Sequence, residues 1–249
     1  MTRITANPVY KNIQVSPNSA ILTAIPGNNS SINPVQNKYN GLGGSLDMIL
    51  TNKESKRLEH GRIFAPGLQD NERIYQFLKN SLPKDKALEY SRQEVESILE
   101  IDANVITCVE NSAKDLVGIT ISYPAILIPS IAEKEKWSQQ GGFDPKYFNK
   151  GAIYNELRAV DSAYQGNGLG KVMMGKLILD SANKEFNQIV LYSIERAYQN
   201  HADLGFKDLG LKVLSFPDND IGRTHLMNLD IDRHKIAESH NVLNKYILK

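Results

Sequence analysis

The stretch Val160–Leu179 reads VDSAYQGNGLGKVMMGKLIL and carries four glycines, Gly166, Gly168, Gly170 and Gly175. The residues before it, AIYNELRAV (152–160), suit a strand. After it, Leu169, Val172, Met173 and Leu177, joined by Ile178 and Ala182, recur at helical spacing over about 168–184. The pattern predicts a strand, a glycine turn and a helix. A turn with so little side-chain bulk leaves successive N–H groups open. The helix N-terminus adds about half a positive charge. Phosphate is the ligand such a turn suits.

Three phosphate-binding spacings compete for it. A Walker A loop needs GxxxxGK followed by Ser or Thr; Gly170–Lys171 supplies GK, but Gln165 and Val172 stand at the other required positions. A dinucleotide GxGxxG meets Lys171 or Met173 where its last glycine belongs. The third pattern, (Gln/Arg)-x-x-Gly-x-Gly, is met by Gln165, Gly166, Asn167, Gly168, Leu169 and Gly170, with Lys171 placing a full charge beside them.

Composition bounds the rest. The 249 residues are 41% hydrophobic and 23% charged, enough apolar material for a sizeable core, with a formal net charge of +1. That charge and the absence of a dense Lys/Arg cluster argue against nucleic acid as a partner. Cys108 is the only cysteine, so no intrachain disulfide or multi-cysteine zinc site forms, and the five histidines show no HExxH spacing. No metal is expected. No run reaches the roughly 18 apolar residues of a membrane span. MTRITANPVYKN lacks the apolar centre of a secretory signal. A soluble, cytoplasmic protein is expected, with export through the N-terminal segment left open.

Residues 1–56 are rich in Asn, Ser, Pro and Gly and read as an irregular or disordered extension, with a short strand at Ala20–Ile25 and a linker-type GLGG at Gly41–Gly44. From about Arg57 the elements follow as β, α, α, β, β, β, α, β, α, β, β. Ile74, Phe77, Leu78 and Leu82 mark the first helix, with Asp70 placed to cap it. Ser91 and Glu94 form a capping box for the second. NVITCVE and DLVGITISYP read as a hairpin, and 124–150 as a polar loop dotted with aromatics. QIVLYSI, ERAYQNHADLGF and a last hairpin follow, and residues 232–249 read as a terminal helix docked on the domain. This is an α/β (α+β) chain: a mixed central sheet of about six to seven strands with helices on both faces.

The QGNGLG stretch resembles the acetyl-CoA-binding segment of the GNAT superfamily of N-acetyltransferases. In that family an apolar residue stands five positions before the Gln/Arg, as Val160 does here. A second segment is similar: the family's N-E-R-A-x-x-x-Y-x-x-L-G-F is met by Glu195, Arg196, Ala197, Leu204, Gly205 and Phe206 in IERAYQNHADLGF. The element order over 57–231 is the family's too, so the resemblance implies a GNAT fold there. Two departures stand out: Ile194 replaces the family's Asn, and His201 replaces the Tyr that often reprotonates the leaving thiolate.

The resemblance implies transfer of an acetyl group from acetyl-CoA to an amine directly within a ternary complex. A small or amino-acid-like primary amine is favoured as acceptor. A protein N-terminus or lysine, a longer acyl group, or a catalytically silent acyl-CoA-binding module remain alternatives, and a monomer or homodimer is expected. By resemblance, Gln165–Lys171 hold the CoA pyrophosphate, and main-chain groups near Ala159 and Val160 bind the pantetheine arm and polarise the thioester. An alkyl amine has a pKa of about 10.4, so supplying it neutral at pH 7 costs roughly 4–5 kcal/mol. A carboxylate base therefore needs a raised pKa or a water relay.

Strand alternation puts Glu156 on one face with Tyr154, Arg158 and Val160. Glu156 reads as base, as partner of Arg158 or as anchor for the substrate ammonium, with Tyr154 second by alignment. His201, Tyr198 or neither serves as acid; the two lie three residues apart on one helix. Gly175 reads as a packing glycine and Cys108 as a core thiol. Trp137, Phe143, Tyr147 and Phe148 read as an acceptor-pocket wall or a packed loop.

Overall fold

A computed structural model describes residues 45–81, 90–136, 138–139, 141–215 and 220–247. The strand at Ala20–Ile25, the GLGG segment, Leu82 and Trp137 lie outside the described residues. The elements are β1 (Leu46–Asn52), β2 (Arg57–Phe64), α1 (Asn71–Ser81), α2 (Arg92–Leu99), β3 (Val105–Asn111), β4 (Leu116–Pro124), α3 (Ile128–Glu135), β5 (Ser138–Gln139), β6 (Ala152–Val160), α4 (Leu169–Asn183), β7 (Gln188–Ser193), α5 (Glu195–Asp203), β8 (Lys207–Ser215), β9 (Asp220–Asp230) and α6 (Arg233–Asn244).

Among the described residues they build one nine-stranded sheet in the order β1-β2-β3-β4-β6-β7-β9-β8-β5. The expected six to seven strands become nine through β1 and the two-residue β5. β1 lies inside the segment 1–56 expected to be irregular. Its Met48 and Leu50 alternate inward at 1% and 3% exposure, a period too short to stand out beside Gly41–Gly44. The expected loop at 124–150 contains α3, begun by Pro129 in its first turn.

Local chemistry explains the element ends. Ser91 Oγ accepts from Glu94 N while Glu94 Oε2 accepts from Ser91 N, closing the α2 capping box. Asp70 does not cap α1; its carboxylate accepts from Gly67 N and Arg73 Nη1. Asn111 Oδ1 accepts from Ala113 N and Asp115 N, turning the β3–β4 hairpin.

The sheet separates two cores. On one face α1, α2 and α3 cover Ile119, Ile121, Tyr123, Tyr154 and Val190, with Cys108 fully buried there. On the other, α4 and α5 cover Ile153, Ile189, Leu191 and Met227. α6 packs along α4, and Gly175 is the reason it comes so close. A Cβ there would meet Leu243 Cδ1 at 2.8 Å and the Ser239 carbonyl oxygen at 3.5 Å.

Two features of β6 place the site. It pairs in parallel with β7 only through Ala152↔Gln188, Ile153↔Ile189 and Tyr154↔Val190, although both strands run on. β7 stays paired with β9 to Ser193↔His225, and β6 with β4 to Val160↔Gly118, so a wedge opens between β6 and β7. Against β4 the register shifts: Ile121 faces Leu157 and Ser122 faces Asn155, leaving Glu156 as the extra residue of a β-bulge.

Gly175→Val is expected to push α6 from α4 and to cost about 1–3 kcal/mol of stability, read from thermal or urea unfolding. Gly175→Ala is expected to sit near neutral, because helix propensity returns about 1 kcal/mol against the displacement of Leu243.

Candidate functional site

The bulge inverts the alternation expected along β6. Tyr154 and Leu157 belong to the core under α1–α3, with Ala159 packed against it, whereas Val160 packs with Leu169, Val172 and Met173 of α4. Arg158 also turns towards α4, its Nε 4.0 Å from where a Cβ on Gly170 would stand. Glu156 therefore shares a face with Tyr154 but not with Arg158 and Val160, and pairing of Glu156 with Arg158 is overturned. The bulge is pinned by buried Asn155, whose Nδ2 reaches Ile121 O (3.1 Å), Ser122 Oγ (3.0 Å) and Leu157 O (3.2 Å).

Glu156 Oε2 accepts from Tyr90 Oη at 2.7 Å and from Tyr123 Oη at 2.5 Å. Burial nevertheless outweighs these two bonds, and with a smaller push from Glu94 it raises the Glu156 pKa above the ordinary carboxylate value. Two residues beyond the last β6–β7 pair, Glu156 on β6 and Tyr192 on β7 border the wedge. The Tyr192 hydroxyl is buried with no hydrogen-bond partner among the described residues, and burial pushes its pKa up. Its ring lies 5.9 Å from Tyr154 and 6.3 Å from Phe148, and Phe148 meets Phe143 edge-on at 5.1 Å. This aromatic wall leads to a cleft of about 480 Å³ lined by Gln139, Phe143, Asp144, Tyr147, Lys212 and Leu226.

The glycine turn is held from several sides. Gln165 Nε2 donates to Val160 O at 2.8 Å, and Asn167 Nδ2 to Thr51 O of β1 at 3.0 Å. Leu169 is a core residue at 4% exposure. These three side chains are thus committed to the protein, and what the turn presents is backbone. Gly166 and Gly168 have φ of +83° and +82°, in the left-handed region that favours glycine. A Cβ on Gly166 would meet open space, while one on Gly168 would overlap the Tyr246 hydroxyl. The first intrahelical bonds of α4 come from Lys171 N and Val172 N, both to Gly168 O (2.9 and 3.1 Å). Among the described backbone bonds, the N–H groups of Leu169 and Gly170 have no acceptor. Lys171 lies exposed beside them.

The two α5 candidates lie on the other side of the sheet. His201 is 8% exposed, its Nδ1 2.8 Å from Ser193 Oγ and its ring 5.6 Å from Phe206. Burial, reinforced by the Arg158 charge, lowers its pKa to about 4, so the ring is neutral at pH 7. The Tyr198 ring lies 4.3 Å from that of His225, and burial and the nearby Asp208 carboxylate raise its pKa. Ile194 is the N-cap of α5 and makes no side-chain cap bond. The candidates therefore split, Glu156 and Tyr154 on one face and His201 and Tyr198 on the other.

Sequence reasoning missed Tyr90, Tyr123, Tyr192 and the isolated guanidinium of Arg158. A tyrosine in a strand looks like core until its hydroxyl partner is known. Arg158 carried one signal, a cation in an otherwise apolar strand end. Among the described residues no group of three or more His, Cys, Asp or Glu could hold a metal ion, and no helix is long and apolar enough to cross a membrane.

No protein-family model matches the chain, and no curated protein sequence does. Solved structures do match in shape. An N-acetyltransferase from Staphylococcus aureus Mu50 is 16% identical over 69% of this chain and 99% of its own, with a TM-score of 0.50. An acetyltransferase of the GNAT family from Streptococcus pneumoniae gives the same figures. Ard1 from Thermoplasma volcanium is 13% identical over 70% of this chain and 99% of its own, also with a TM-score of 0.50. The chain has the GNAT fold.

The raised pKa of Glu156 has a definite sign for stability. The folded state holds the proton more tightly than the unfolded state, so its contribution is fully present below the unfolded pKa and is lost as pH rises through the folded pKa. Glu156→Gln is therefore expected to be at least as stable as the parent at pH 7.5, with the difference shrinking or reversing near pH 4, read from urea unfolding at both pH values.

Proposed function

We propose that this chain is an N-acetyltransferase that moves an acetyl group from acetyl-CoA to a primary amine by direct transfer in a ternary complex. One observation carries the reading: a carboxylate with a raised pKa stands on a bulge at the mouth of a strand wedge, on the strand that leads into a glycine turn with open N–H groups. Its fold is that of known acetyltransferases.

The residues present fit the cosubstrate. The turn offers backbone N–H groups and a helix N-terminus to the pyrophosphate. Beyond Tyr154 and Val190 the sheet no longer ties β6 to β7, which leaves β6 main-chain groups near Ala159 and Val160 open to an extended arm and to the thioester oxygen. The Val160 carbonyl itself is taken by Gln165, so the open groups are its neighbours.

The amine nitrogen attacks the thioester carbon, the C–S bond breaks, and the sulfur leaves as thiolate with the bonding pair. The nitrogen's proton passes to the Glu156 carboxylate, directly or through one water. The raised pKa narrows the gap between that carboxylate and the amine it deprotonates. Tyr90 and Tyr123 hold it in place and keep part of its charge stabilised. Neutral His201 can offer a hydrogen bond but no imidazolium, and Tyr198 is engaged towards His225 and Asp208. The free Tyr192 hydroxyl is the donor on the Glu156 face that a substrate atom can satisfy. A cleft of about 480 Å³ with an aromatic wall fits a small or amino-acid-like amine.

Thiol release from acetyl-CoA is expected with members of a small-amine library. Glu156→Gln is expected to lower kcat by about 10²–10⁴-fold while leaving CoA affinity unchanged. In the parent protein kcat is expected to fall as pH drops through the raised Glu156 pKa, and that limb should vanish in Glu156→Gln. CoA binding with no turnover for any amine, peptide or protein, in parent and variant alike, would leave a binding module in place of an enzyme.

A further inference from the structure

Arg158 is the one charged side chain in the site with no visible purpose in the protein's own packing. Among the described residues its Nη1 is buried with no hydrogen-bond partner, and no carboxylate forms an ion pair with it. Burial without a counter-charge lowers its pKa to about 10. The guanidinium lies against the first turn of α4, with Nε 4.0 Å from the Cβ position of Gly170. In that same turn the N–H groups of Leu169 and Gly170 have no acceptor among the described backbone bonds. Two independent sets of donors thus lie at the same helical turn, and neither is satisfied among the described residues.

We propose that Arg158 and the α4 N-terminus form one anion site, and that Arg158, rather than Lys171, supplies the charge that holds the pyrophosphate of coenzyme A. This rests on the acetyl-CoA reading and extends it to a residue outside the glycine turn. Lys171 is exposed, so water screens what it offers, whereas the half-buried guanidinium of Arg158, with its Nη1 fully buried, is screened less and can bond two oxygens at once. Arg158 leaves β6 on the face opposite Glu156, so the reacting acyl group is not its target. The free protein carries a half-buried cation with no counter-charge among the described residues, which the ligand neutralises. Binding is therefore coupled to stability through this one side chain.

The test uses the full chain, with titration calorimetry and thermal unfolding of the parent, Arg158→Met, Arg158→Lys and Lys171→Met. CoA, pantetheine (which has the arm but no phosphate) and inorganic pyrophosphate are the probes. Arg158→Met is expected to weaken CoA and pyrophosphate roughly 10–100-fold, from the loss of a charge-assisted bond. It should leave pantetheine unchanged and raise the unfolding temperature of the free protein. Arg158→Lys should recover part of the affinity, and Lys171→Met should change it less than threefold. Equal CoA affinity in the parent and Arg158→Met overturns the inference and leaves the acetyl-CoA reading standing. Parallel loss of CoA and pantetheine, or a lowered unfolding temperature for the free Arg158→Met protein, makes Arg158 a packing residue and also overturns it. A parent that binds pyrophosphate through Arg158 but not CoA keeps the anion site and removes the cosubstrate. A parent that binds neither removes both.

Discussion

The arrangement depends on how β6 satisfies its two neighbours. It stays paired with β4 to its last residue but leaves β7 after three residue pairs. A regular strand could part from β7, but it would then keep strict alternation and send position 156 where position 158 now goes. The bulge breaks that phase. Asn155 makes it tolerable by covering the carbonyls of Ile121 and Leu157 and bonding Ser122 Oγ, which a kinked and buried ladder needs. One buried amide thereby sends Glu156 to one face and Arg158 to the other.

That division separates the two charges in space. Glu156 sits under two tyrosine hydroxyls on the face that carries the aromatic wall and the open cleft. Arg158 sits under the glycine turn on the face of α4. Both are held against the cost of desolvation, and their pKa values move in the directions that this cost dictates, the acid up and the base down. The same field acts on His201, which burial and Arg158 together keep neutral. Its Nδ1 is at the same time held 2.8 Å from Ser193 Oγ.

The turn is braced from elements that flank the fold's centre. Thr51 of β1 accepts from Asn167, Lys53 N donates to Ala163 O, and Tyr246 after α6 stands against Gly168. α6 reaches that position because Gly175 lets it lie close on α4, and Ile49 N bonds Tyr246 O to tie its end to β1. The four glycines of the opening stretch thus serve different ends. Gly166 and Gly168 permit a backbone conformation, Gly170 lies beside Arg158 in the first turn of α4, and Gly175 sets a helix crossing.

Sequence alone was sufficient for the strand, turn and helix around QGNGLG, for the capping box at Ser91 and Glu94, and for the hairpin of β3 and β4. Each of these is written in residues close together in the chain, as a spacing, a cap or a period. β1 escaped because two inward residues between polar neighbours are too weak a period. Tertiary structure alone decided the face on which Glu156 stands, because a bulge is a property of two paired strands and changes no residue in either. It alone brought Tyr90, Tyr123 and Glu156 together, from positions 66 and 33 residues apart. It also left Arg158 without a partner among the described residues, since whether a charge is neutralised depends on everything packed around it.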